Sequence, residues 1–114
     1  MQQGYEIHLT PIEERLGQIL TRNAWTYFND LISTREVFQV KEIPMMPRGG
    51  VLLLPQDLEI AQYYVDEAPA AAAQLTIYGY QDDEAEAAAV TFTEKVCAAT
   101  GIHPGLTDQE SASA

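Results

Sequence analysis

The sequence predicts an α+β fold. It reads as a small single domain with elements in the order β-α-β-β-α-β-α, and a three- or four-stranded mixed or antiparallel sheet with helices mainly on one face. Three observations lead there. Three long stretches repeat apolar residues at helical spacing. The shorter stretches between them alternate or run continuously apolar, as strands do. Glycine and proline gather at the junctions. A chain of 114 residues, 46% of them hydrophobic, can bury a core without metal or disulfide support. Residues 1–106 read as one acidic α+β domain, and the polar stretch TDQESASA at 107–114 as a disordered tail.

Residues 5–9 alternate, with Tyr5, Ile7 and Leu9 on one face of a first strand. Thr10, Pro11 and Glu13 then form a helix start. Thr10 and Glu13 can bond each other's backbone N–H, and Pro11 loses nothing at the first helical position. The helix is expected to run to about Ile32, burying Ile12, Leu16, Ile19, Leu20, Ala24, Tyr27, Phe28 and Leu31. Trp25 falls at the edge of that stripe. Residues 35–43 read as a strand and 50–55 as a second, nearly all-apolar strand, the two forming a hairpin across the Pro- and Gly-rich turn at 44–50.

Residues 56–68 read as the second helix, with Asp57 and Glu59 near its positive end and Leu58, Ala61, Tyr64 and Val65 facing the core. Pro69 is expected to break or kink it, with residues 70–73 extending the helix after a kink or forming a separate turn. Residues 75–80 alternate as a strand, with Tyr78 and Tyr80 on one face, covered by a helix in preference to forming an open aromatic patch. In the last helix Asp83 is the expected cap and Glu86 its capping-box partner. Ala85, Ala88, Ala89, Phe92, Val96 and Ala99 make the apolar stripe, and Gly101 the stop.

Most catalytic and metal chemistry lacks its residues. His8 and His103 are the only histidines and Cys97 the only cysteine, with no ligand spacing among them, so no metal or cofactor is expected. Cys97 reads as a buried small hydrophobe. The neighbouring carboxylates Glu13–Glu14, Asp66–Glu67 and Asp82–Glu84 do not share a helix face as an acid/base pair would. The Gly49–Gly50 pair lacks the Gly-Lys-Ser/Thr ending of a phosphate loop. The expectation is therefore a non-enzyme. A small enzyme using His8, Cys97 or His103 is the weakest of three readings.

Charge is the main functional signal. Residues 1–56 carry six acidic and five basic side chains, whereas residues 57–114 carry eleven acidic side chains and a single lysine, Lys95. Nearly all of the formal charge of −11 thus lies in the second half. Such a field repels nucleic acid and steers a basic partner, where the acidity does not simply serve solubility or salt adaptation. The leading expectation is an acidic interaction module that binds and modulates or inhibits a basic protein, including a nucleic-acid-binding one. Asp57, Glu59, Asp66, Glu67, Asp82, Asp83, Glu84 and Glu86 would set the encounter, and exposed Tyr63 and Tyr80 the bound energy. Size and acidity also suit a nucleic acid mimic of the viral, phage or mobile-element kind. The alternative is a structural or assembly subunit, a homodimer or larger homo-oligomer, joined through Trp25, Tyr27 or the alanine-rich last helix. No apolar run reaches the roughly 20 residues of a membrane span. The start has no secretory pattern. Together these give a cytoplasmic expectation, the host cytoplasm for a phage protein.

Overall fold

The computed structural model describes residues 4–35 and 44–103. The order is β1 (Gly4–His8), α1 (Pro11–Arg35), β2 (Val51–Pro55), α2 (Leu58–Ala72), a 3₁₀ segment (Ala73–Tyr78) and α3 (Asp82–Thr100). The described residues form a small α+β domain with three helices and a two-stranded antiparallel sheet, and the expected sheet of three or four strands is corrected accordingly. β1 pairs directly with β2, in the register Tyr5 opposite Leu54, Ile7 opposite Leu52 and Glu6 opposite Leu53. The two-residue period puts Ile7, Leu52 and Leu54 into the core, while Leu53 on the other face is 47% exposed. Of the strand expected at 35–43, Arg35 is the last residue of α1, and 36–43 lie outside the described residues. So does the tail at 107–114.

The start of α1 follows the capping-box chemistry. The Thr10 N–H donates to Glu13 Oε1 at 2.9 Å, and the Glu13 N–H donates to Thr10 Oγ1 at 3.4 Å. Leu16, Ile19, Leu20, Ala24 and Phe28 then enter the core. Tyr27, expected with them, is 48% exposed. Adjacent helical residues differ by about 100° in direction, so Phe28 takes the inward place and Tyr27 turns out. Before β2 the chain reverses at Arg48–Val51, whose backbone groups bond each other in both directions at 3.1 Å. Gly49 and Gly50 hold φ of 61° and 76° there, the paired positive values of a type I′ hairpin turn.

Two expectations about the middle of the chain are corrected. Pro69 does not end α2. The helix runs through it to Ala72, burying Ala68, Ala71 and Ala72. Proline forfeits one backbone bond but its φ is helical, and the alanines around it are the strongest helix formers. The second correction follows from the first. Helical conformation carried into residue 73 tightens to a 3₁₀ turn through Tyr78, where a strand was expected at 75–80. Thr76 Oγ1 donates to the Ala73 carbonyl at 2.9 Å, and Gly79 at φ 99° ends the turn. Only Leu75 reaches the core. Ile77, its partner on the expected strand face, is 80% exposed.

α3 begins one residue earlier than its expected cap. Gln81 is the N-cap, and Glu84, not Glu86, reaches back to the Gln81 N–H at 2.9 Å. Asp82 and Asp83 fall in the first turn, where the helix dipole favours negative charge. The inward stripe is Ala85, Ala88, Ala89, Phe92 and Val96, and Gly101 at φ 85° closes the helix. The small residues let α3 lie close against α2. Phe92 stacks with Tyr64 across that contact, at 6.3 Å between ring centres.

Candidate functional site

The negative charge that distinguishes the second half of the chain is set against a single lysine within that half. Lys95, the only basic residue after position 56, is turned toward β1 and α1. Its ammonium donates to Glu13 Oε1 at 2.6 Å and to the His8 carbonyl at 3.0 Å. Glu13 is a buried carboxylate that already serves the α1 cap, so Lys95 is engaged in holding the fold together. Among the described residues, no basic side chain forms an ion pair with Asp66, Glu67, Asp82, Asp83, Glu84, Glu86 or Glu94.

The structure distributes the candidate residues over three grooves. Glu59, Tyr63, Asp66 and Glu67 line a groove between α1 and α2 of about 330 Å³, together with Tyr27, Phe28 and Gln62. Tyr80 and Glu84 line a second, with Ile12, Glu13 and Thr91. Glu86 lines a third of about 590 Å³, with Glu94, Val90 and Pro69. Asp57 is the N-cap of α2, accepting from the Glu59 N–H at 2.9 Å. Asp82 and Asp83 stand exposed on the first turn of α3, where Asp83 Oδ1 accepts from the Glu84 N–H.

The first groove has the most developed structure. Residues 59, 62, 63, 66 and 67 recur at three- and four-residue steps, so α2 presents them along one line while Ile60, Ala61, Tyr64 and Val65 face inward. From α1, Tyr27 lies against Tyr63, their rings 5.0 Å apart and inclined by 27°. Phe28 supports both rings edge-on, at 4.9 Å from Tyr27 and 5.5 Å from Tyr63. Two exposed or half-buried tyrosines are thereby fixed against a buried phenylalanine. The Gln62 side-chain amide donates to Asp66 Oδ1 at 2.9 Å and orients that carboxylate. Burial first, then the nearby Glu67 and Tyr27, push the Tyr63 phenol above its ordinary value of 10.0, so it stays neutral at physiological pH.

Sequence periodicity assigned Tyr27 to the core and omitted Gln62, Phe28, Val90 and Glu94 from the site. The four-residue steps from Glu59 through Tyr63 to Glu67 were visible in the chain. The stacking of Tyr27 on Tyr63 was not, because it depends on how α1 crosses α2. Tyr78, expected under a helix, is 46% exposed, with the Arg15 guanidinium 4.6 Å from its ring centre.

The groups considered for catalysis stay apart in character. His8 is exposed and lies 3.8 Å from the equally exposed Glu6. His103 is exposed beyond the end of α3. Burial pushes the Cys97 thiol up, away from the reactive thiolate. Among the described residues no three His, Cys, Asp or Glu side chains converge as metal ligands, and no helix is long and apolar enough to cross a membrane. Comparison with protein-family models, with curated proteins and with solved structures finds no match to this chain.

Proposed function

We propose that this domain is a non-enzymatic binding module that engages a basic segment of a partner protein through the groove between α1 and α2. The observation that carries this reading is the combination at one place of a fixed tyrosine pair with the carboxylates of Asp66 and Glu67, which have no basic counterpart within the described residues. Acidic side chains without partners raise the encounter rate with a cationic chain. Aromatic side chains already held in place give contact area at little cost in side-chain entropy. The division of the remaining carboxylates among separate grooves favours recognition of a short basic segment over imitation of a continuous phosphate track.

The test uses a defined probe. An isotopically labelled full chain is titrated with a nine-residue peptide of mixed arginine and lysine, followed by amide chemical shifts. The reading expects the largest shifts at Tyr27, Tyr63, Asp66 and Glu67, with affinity falling as salt rises from 50 to about 300 mM, where the screening length is well below 10 Å. Shifts spread evenly over Asp82, Asp83, Glu86 and Glu94 as well, with none concentrated in the groove, would show a diffuse counterion effect and defeat the reading.

A further inference from the structure

The groove carries a finer inference, which rests on the function just proposed. We infer that its preferred ligand is an arginine side chain, lying flat against the Tyr63–Tyr27 pair with its edge toward Asp66 and Glu67.

The two rings, inclined by 27° with centres 5.0 Å apart, are stacked face on face, with Phe28 edge-on to both. The flat face of a tyrosine held in such a stack suits a flat cation. Guanidinium is planar and weakly hydrated, and keeps its N–H donors in its own plane while its face rests on a ring. An ammonium group is compact and strongly hydrated, so it gains less from the plane and surrenders more water. The carboxylates fit the same choice. Asp66 and Glu67 follow Tyr63 by three and four residues on α2, which brings them beside its ring. A guanidinium lying on the tyrosines thus meets carboxylate oxygens at its rim, where two-point bonding is available to arginine and not to lysine. Gln62 already fixes the Asp66 carboxylate.

The chain shows the same chemistry elsewhere in its own fold. Arg15 places its guanidinium carbon 4.6 Å from the centre of the Tyr78 ring. At about 330 Å³ the groove is at the small end of ligand sites, which span roughly 300–1,000 Å³. That is space for one or two side chains, not for a helix. A second copy of this chain is a poor occupant, since its own surface is acidic overall, with a formal charge of −11.

The experiment compares two probes of equal charge, the peptides acetyl-Gly-Arg-Gly-Arg-Gly-amide and acetyl-Gly-Lys-Gly-Lys-Gly-amide. Each is titrated into the full chain by calorimetry and by amide shifts. The arginine peptide should bind about three- to ten-fold tighter, the range expected of a partly desolvated cation–π contact. Tyr63→Leu should remove that preference while leaving the lysine peptide within about two-fold. Tyr63→Phe, which keeps the π face, should retain it. Asp66→Asn combined with Glu67→Gln should weaken both peptides. Thermal melts of each variant verify that it folds, and the comparison of the two peptides on the unmodified chain carries the test should Tyr63→Leu unfold. Equal affinity for the two peptides, with shifts still centred on Tyr63, overturns the arginine inference and leaves the binding function standing. Absence of groove shifts with both peptides overturns both.

Discussion

At the level of single residues, two buried polar pairs have consequences that can be measured. Lys95 and Glu13 meet at 2.6 Å, with Glu13 almost wholly buried and Lys95 about one-third exposed. Lys95→Met leaves a buried carboxylate with only the Thr10 N–H as a partner. It should destabilise the fold by about 1–3 kcal/mol, the cost of an unpaired buried group. Glu13→Gln retains an acceptor for Thr10 and should cost less. Urea unfolding of both variants checks the order, and a reversed order would show that the lysine contributes little. The second pair is Tyr64 and Thr21, whose hydroxyls lie 2.6 Å apart in the core. Burial raises the Tyr64 phenol well above its usual value, against a smaller opposing effect of the Thr21 bond. The unfolded chain releases this proton near pH 10 and the folded one only at higher pH. Between those values the unfolded state binds fewer protons, so stability falls as pH rises. The slope should approach about 1.4 kcal/mol per pH unit from this group. Tyr64→Phe should remove that part of the alkaline loss, but at pH 7 it costs about 1–2 kcal/mol because Thr21 is left unpaired. Stability curves at pH 7, 10 and 11 separate the two effects. Neither pair was legible in the sequence. Glu13 was visible as a cap, but its second role depends on Lys95, 82 positions away, and Tyr64 was visible only as an inward residue.

At the level of elements, the legible parts were those fixed by local chemistry. The Thr10–Glu13 box, the inward stripe of α3 and the Gly101 stop depend on neighbours three or four positions away, and they stand in the structure except that Ala99, expected in the stripe, is exposed. The misread parts are decided by competition. Pro69 argued locally for a helix end, yet the alanines on both sides and the burial of Ala68, Ala71 and Ala72 outweigh one lost backbone bond. The alternation at 75–80 argued for a strand, yet the helical conformation of α2 carries on through Ala72 and tightens into the 3₁₀ segment that takes these residues. Short apolar runs read equally well as strand or turn, and the neighbouring helix decides here. If this account of α2 is right, the proline is a defect that packing tolerates. Pro69→Ala should then raise stability by about 1–2 kcal/mol, less than the full interior-proline penalty of about 3 because alanine also frees the unfolded chain. A fall in the urea midpoint on this substitution would mean that Pro69 shapes the α2–3₁₀ junction in a way alanine cannot.

At the level of the whole molecule, charge acts on the fold and on the proposed binding in opposite senses. The asymmetry between the two halves was plain in the sequence, but the location of its effect was not. Composition cannot say that Lys95 turns inward, or that Glu59, Asp66 and Glu67 share a groove with two tyrosines while Glu84 and Glu86 enter others. With a formal charge of −11 on 114 residues, the folded state repels itself. Added salt screens this repulsion within about 10 Å at 0.1 M, so the melting temperature should rise as sodium chloride goes from 20 to about 300 mM. Over the same range the screened carboxylates attract a basic peptide less, so its affinity should fall. A general effect of salt on protein solvation would move both quantities alike. Opposite signs are the mark of a surface on which carboxylates such as Asp66 and Glu67 have no basic partner among the described residues. Neutralising Asp66 and Glu67 together should lessen both trends, whereas neutralising Glu86 and Glu94 should lessen only the rise in melting temperature. Melting curves and peptide titrations on the same samples give that comparison directly. If the Glu86 and Glu94 substitutions weaken peptide binding as much as those at Asp66 and Glu67, recognition belongs to the total charge and the tyrosine groove has no special part in it.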